Sequence, residues 1–94
     1  MRHAGTAALE ALEPLFAELR RLPGLTERRP GVFYRGGQAF LHCHDDPAGL
    51  FVDLKQDGAF VRYPATAPKD RRTIVTAAAA ALAALAKAKE ARRR

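Results

Sequence analysis

Between Gly31 and Tyr63 the hydrophobic period is two, and the run is cut by Gly36-Gly37 and Asp57-Gly58, dipeptides that close two-residue hairpins. The stretch "DDPAG", Asp45 to Gly49, marks a longer turn between them. A helix does not survive this punctuation, so the middle of the chain is confined to short strands joined in sequence. The pattern predicts a four-stranded antiparallel meander over residues 31–35, 38–44, 50–55 and 59–63.

A two-residue loop makes its flanking residues direct partners, which sets the expected register. The first turn pairs Arg35 with Gln38, Phe33 with Phe40 and Val32 with Leu41. The last pairs Lys55 with Phe60, Leu54 with Val61 and Asp53 with Arg62. With Asp46 to Gly49 as the middle loop, His44 faces Phe51, Cys43 faces Val52 and His42 faces Asp53. One face of the sheet is then aliphatic, with Val32, Tyr34, Leu41, Cys43, Val52 and Leu54 among its members, and is expected to be the core. The other mixes Phe33, Phe40, Phe51 and Phe60 with Arg35, His42, His44, Asp53, Lys55 and Arg62.

Helices are expected on both sides of this sheet in the chain. Leu9, Leu12, Leu15, Phe16, Leu19 and Leu22 recur every three or four residues, the spacing of an amphipathic helix over residues 6–22. Thr6 is a candidate cap, Pro14 lies inside the pattern, and Pro23-Gly24 ends it. The alanine-rich run after Pro68 predicts a second helix over 68–91, with Ile74, Ala78, Ala81, Leu82 and Leu85 as its apolar stripe and a basic tail that projects past the sheet. The 94 residues are thus expected to form a single α+β domain of order αββββα, with both helices on one face.

The formal charge of +6 is unevenly placed. Residues 1–30 hold five Arg against four Glu, residues 31–67 three cations against four Asp, and residues 68–94 eight cations against two acids. The excess belongs to the final helix, where the helix dipole favours cations in any case. One cysteine, Cys43, excludes an internal disulfide and is most simply a buried small apolar residue. With no long apolar run, the expectation is a cytoplasmic protein that does not enter the membrane.

The order of helix, "LPGLTE" (Leu22 to Glu27), strand, "YRGGQAFLH" and "GLFVDLK" resembles the MmcQ/YjbR-like family over about residues 9–55. The resemblance implies a compact α+β unit of the frataxin/YjbR-like type, two helices on one face of an antiparallel sheet. It also implies a broad DNA-binding label, and it brings no catalytic motif.

Two surfaces are candidates for function. The row His42, Asp53, Arg62, with His44 two residues along, offers two imidazoles and a carboxylate to a metal. Arg62 competes for that carboxylate, so the sequence alone favours a charge ladder that fixes strand pairing. No phosphate loop, nucleophile elbow or cofactor motif is present, and the expectation is a non-enzymatic binding or structural module without a cofactor. The Phe-bearing face, with Arg35, Lys55 and Arg62, suggests a homodimer interface. Two alternatives stay open: single-stranded nucleic acid stacked on the aromatics, and a helix crossing onto that face.

Overall fold

A computed structural model of the protein describes the backbone of residues 2–3 and the whole of residues 5–92. Its elements run β1 (Arg2–His3), α1 (Thr6–Leu19), β2 (Leu25–Arg29), β3 (Val32–Arg35), β4 (Gln38–Asp46), β5 (Gly49–Gln56), β6 (Ala59–Pro64) and α2 (Pro68–Arg92). Strands β2 to β6 form an antiparallel meander in chain order. The first part of β4 pairs with β3, and β1 takes up the same row where β3 ends, with His3 opposite His44 and Arg2 opposite Asp45. The architecture is α+β, with five meander strands where four were expected.

The additional strand is "LTERR", residues 25–29. It folds back on β3 through Pro30-Gly31, with Arg29 opposite Val32. Gly31 has φ 76°, and a Cβ there would lie 3.1 Å from Leu9 and 3.2 Å from Phe16, so the tip packs on α1 at a distance that suits only glycine. Arg20, just past α1, holds this strand by pairing with both Glu13 and Glu27, and Glu27 also accepts the Gly31 N–H at 3.2 Å. The Arg28 guanidinium lies 4.2 Å from the centre of the Tyr34 ring.

The helices also differ in detail from expectation. α1 ends at Leu19, not residue 22, and its N-cap is Gly5 with no side-chain cap, so Thr6 does not serve as one. Pro14 is accommodated within the helix. α2 begins with Pro68 at its first position, where a missing N–H costs nothing, and Asp70 accepts the Ala67 N–H at 2.9 Å. Its buried side chains, Ile74, Ala78 and Leu82, recur every four residues, whereas Leu85 is exposed. At 1.5 Å per residue α2 is roughly 37 Å long, which accounts for much of the 47 Å long axis of the molecule. Arg93 and Arg94 of the basic tail lie outside the described residues. No helix among the described residues is long and apolar enough to cross a membrane.

Leu12, Leu15, Phe16 and Leu19 of α1 and the buried face of α2 meet Phe33, Phe40, Leu41, Cys43, Val52 and Leu54 of the sheet in one cluster. This corrects the expected division of faces. Tyr34 pairs with Ala39 but Phe33 pairs with Leu41, so Phe40 is an extra residue in β4, a β-bulge. The bulge lets Phe40 and Leu41 both enter the core, 1% and 0% exposed, and Phe33 joins them at 1%. Val32 and Tyr34 turn to the outer face instead. Burying each phenylalanine is worth about 1.5–3 kcal/mol, a gain that the regular register would have forfeited twice.

Candidate metal centre

Beyond the bulge the register returns to the expected one. Asp46 faces Gly49 across Pro47-Ala48, so the middle loop has two residues, not four; shortening it by one on each side leaves every pair unchanged. Asp46 secures the turn by accepting the Ala48 N–H at 2.9 Å. His42 therefore stands opposite Asp53, and Asp53 opposite Arg62, on the face away from both helices. His44 lies two residues along β4 on the same face.

The side chains converge. His44 Nε2 lies 2.9 Å from Asp53 Oδ2 and 3.0 Å from His42 Nδ1. Arg62 donates from Nε to Asp53 Oδ1 and from Nη2 to Asp53 Oδ2, both at 2.8 Å, a bidentate pair. The Phe60 ring, 4.7 Å from the His42 ring centre, covers one flank, and the two imidazoles meet edge to face at 5.0 Å. The side chains of His44 and Asp53 are only 14% and 12% exposed. Arg62 holds the Asp53 carboxyl below the usual carboxylate range through these hydrogen bonds, against the opposing effect of burial and with help from His44.

Hydrogen counting shows what the arrangement can do. His44 Nε2 serves both contacts, and which partner donates in each depends on the tautomers of the two imidazoles. Two imidazole nitrogens and a carboxylate oxygen are thus brought face to face. One donor atom from each of His42, His44 and Asp53 lies within 4.8 Å of the others. A divalent ion bound by imidazole and carboxylate at about 2.0–2.2 Å satisfies all three together. Two nitrogens and one oxygen suit zinc, cobalt, nickel, copper or iron better than calcium or magnesium. Arg62 engages both carboxylate oxygens, Oδ2 included, and so fixes the orientation of the carboxylate, while its own head is 46% exposed and therefore well screened.

The proposed aromatic surface is not assembled. Phe33 and Phe40 are in the core, and only Phe51 and Phe60 remain outside, Phe60 at 43% exposure. The basic trio is divided as well. Arg35 alternates with Tyr34 and so shares the helix-bearing side with Phe33, Arg62 is committed to Asp53, and Lys55 reaches over Phe60 with its Nζ 5.6 Å from the ring centre. Cys43 points into the core, where burial, reinforced by Glu27 and Asp53, pushes its thiol up to about 12; it is no nucleophile or ligand. Sequence reasoning passes over His3, which the β1 register places opposite His44. A strand of two residues has no periodicity by which to find it. Compared with known proteins, the chain matches no protein family, no curated protein and no solved structure, and the likeness of residues 9–55 to the MmcQ/YjbR-like family rests on its short motifs alone.

Proposed function

We propose that this protein is a small non-enzymatic binding module that holds one divalent transition-metal ion on the open face of its sheet through His42, His44 and Asp53. The observation that carries this reading is the meeting of three potential ligand atoms, one from each of His42, His44 and Asp53. A ladder that served only to set register would need the cross-strand contacts of Asp53 with His44 and Arg62 but not the contact of His42 with His44, which runs along one strand. The chemistry of the donors selects a borderline metal, and because imidazole and carboxylate bind it only when deprotonated, binding weakens as the solution is acidified. The test is equilibrium dialysis against zinc, cobalt and nickel, with metal counted per chain and calorimetry for affinity. One equivalent in the unaltered protein and none after His42→Ala with His44→Ala supports the reading; an unaltered protein that retains no stoichiometric metal overturns it.

A second reading concerns self-association, and β6 favours it. This edge strand leaves Phe60 43% and Val61 41% exposed, one on each side of the sheet. An apolar, unpaired edge is a template for another strand, and a second copy of the chain, antiparallel across a two-fold axis, presents the same edge. Light scattering across a range of protein concentrations decides between a dimer and a monomer.

A further inference from the structure

The buried stripe of α2 stops at Leu82, and every described residue of the helix beyond it is exposed. Between this overhanging half of α2 and the end of the sheet made by the β3–β4 and β5–β6 turns lies a groove of about 750 Å³. Ala81, Ala84, Leu85 and Ala88 form its helix wall, and Ala39 and Phe40 line it from β4. Leu85, at 39% exposure, is the only large apolar side chain of α2 left in water. Two cations share this lining with the apolar wall: Arg35 at the end of β3 and Arg92 at the end of α2. The arginines in ion pairs among the described residues are Arg20, Arg62 and Arg71, so neither groove arginine is committed to an acid. Lys55 carries its ammonium over Phe60, and Asp57 is the only acid of the lining.

We infer that this groove binds a small amphipathic anion, an alkyl carboxylate, with its chain along the alanine wall of α2 and its head group met by Arg35 and Arg92. The volume lies within the range of about 300–1,000 Å³ usual for small-molecule sites. From Ala81 to Ala88 the wall runs about 10 Å at 1.5 Å per residue, and its short side chains admit a slim, unbranched chain. A guanidinium presents two parallel donors that match a carboxylate, and these two have no competing partner. Other occupants fit less well. A second copy of α2 would set Lys87, Lys89 and Arg92 against cations at either end of the same helix. A nucleic-acid strand would find no exposed ring to stack on, since Phe40 is 1% exposed. A bilayer surface calls for several large apolar side chains on the helix, and the overhang offers Leu85 alone. The groove shares no residue with His42, His44, Asp53 and Arg62, so its occupancy is independent of metal.

The experiment titrates the full chain by calorimetry with acetate, octanoate, decanoate and dodecanoate, all below their micelle concentrations, and with decyltrimethylammonium as the same kind of chain on a cationic head. The variants are Ala84→Glu, which puts a charge into the apolar wall, and Arg35→Gln combined with Arg92→Gln, which removes both cations. Arg72→Gln, an exposed change on α2 outside the groove, controls for net charge, and far-UV circular dichroism confirms that each variant keeps its fold. The expected result is one equivalent of decanoate or dodecanoate, no binding of acetate or of decyltrimethylammonium, and an affinity that rises with chain length by up to about 4-fold per CH2. Ala84→Glu should abolish binding, the double arginine variant should lower the affinity at least about 10-fold, and Arg72→Gln should leave it unchanged. Amide NMR shifts on adding dodecanoate should gather on residues 80–92 and on the β3–β4 turn. Absence of carboxylate binding, equal affinity for the cationic amphiphile, or undiminished affinity in Ala84→Glu or in the double arginine variant overturns the proposal. Binding to phosphatidylglycerol vesicles without binding of dissolved dodecanoate overturns it as well, and assigns the overhang to a membrane surface.

Discussion

The two faces of this sheet are built by different rules. The inner face meets α1 and α2 and is filled by shape: Phe16, Phe33, Phe40, Leu41, Val52 and Leu54 are all 1% exposed or less, with no polar demand on their positions. On the outer face neither described helix lies over His42, His44, Asp53 and Arg62, and these are placed by directed contacts of 2.8–3.0 Å. Stability therefore resides mostly on one side and chemistry on the other, separated by the thickness of a single backbone. A change on either face should register mainly in its own observable.

The largest test of that separation is on the inner side. Phe40→Ala removes a fully buried ring from a site created by a bulge, and is expected to cost about 3–5 kcal/mol. Phe60→Ala, on the outer side at 43% exposure, is expected to cost less than about 1 kcal/mol in the same denaturant titration. Near-equal costs would break the distinction between the faces. Next in size is the metal itself: zinc at about 100 times its Kd should raise the unfolding free energy by about 2.7 kcal/mol, and the increment should vanish in the variant with His42 and His44 both replaced by Ala. Retention of the increment in that variant would place the ion elsewhere.

Asp53→Asn sharpens the comparison within the outer face. It keeps the shape, removes the charge that Arg62 grips, and leaves an Arg62 that is nearly half exposed and can recover its water. The expected cost is about 1–2 kcal/mol, toward the lower part of the range for hydrogen bonds to charged groups. The pH dependence has a definite sign. Because the folded Asp53 carboxyl titrates below its usual range, its contribution is fully present above the unfolded value of about 3.9 and is lost as pH falls through the lower folded value. Asp53→Asn should therefore flatten the acid limb of the stability profile. An unchanged limb would mean that the Arg62 pair contributes nothing to folding.

The row His42, Asp53, Arg62 is legible in the sequence because nothing interrupts the pairing between the Asp57-Gly58 turn, the middle turn and the site, and side-chain period two carries register faithfully along such a stretch. The same reasoning fails at Phe40, expected opposite Phe33, because one extra residue in β4 gives that place to Leu41 and reverses every expectation for β3 beyond the bulge. The only trace of it in the sequence is the adjacent pair Phe40-Leu41, two large apolar residues where alternation allows one. β2 escapes sequence reasoning for another cause. "LTERR" has a single apolar residue, Leu25, and its place in the sheet depends on tertiary contacts of Arg20, Glu27 and Arg28 that no local pattern announces.

The smallest expected effect concerns the sheet's two edges. β2 carries Glu27, Arg28 and Arg29, charges that discourage pairing with a further strand, whereas β6 presents Phe60 and Val61 and has Arg62 as its only charged residue. Val61 is already 41% exposed, so Val61→Lys should alter the stability of the isolated chain by no more than about 0.5 kcal/mol. If two copies join along β6, the same substitution sets like charges against each other across the two-fold axis and should convert a dimer into a monomer in light scattering at equal concentration. A dimer that survives Val61→Lys unchanged would exclude the β6 edge as the seam. Because β6 also supplies Arg62, a joined edge would hold that side chain in place beside Asp53, and the metal affinity of the unaltered protein should then rise with protein concentration while that of Val61→Lys stays flat.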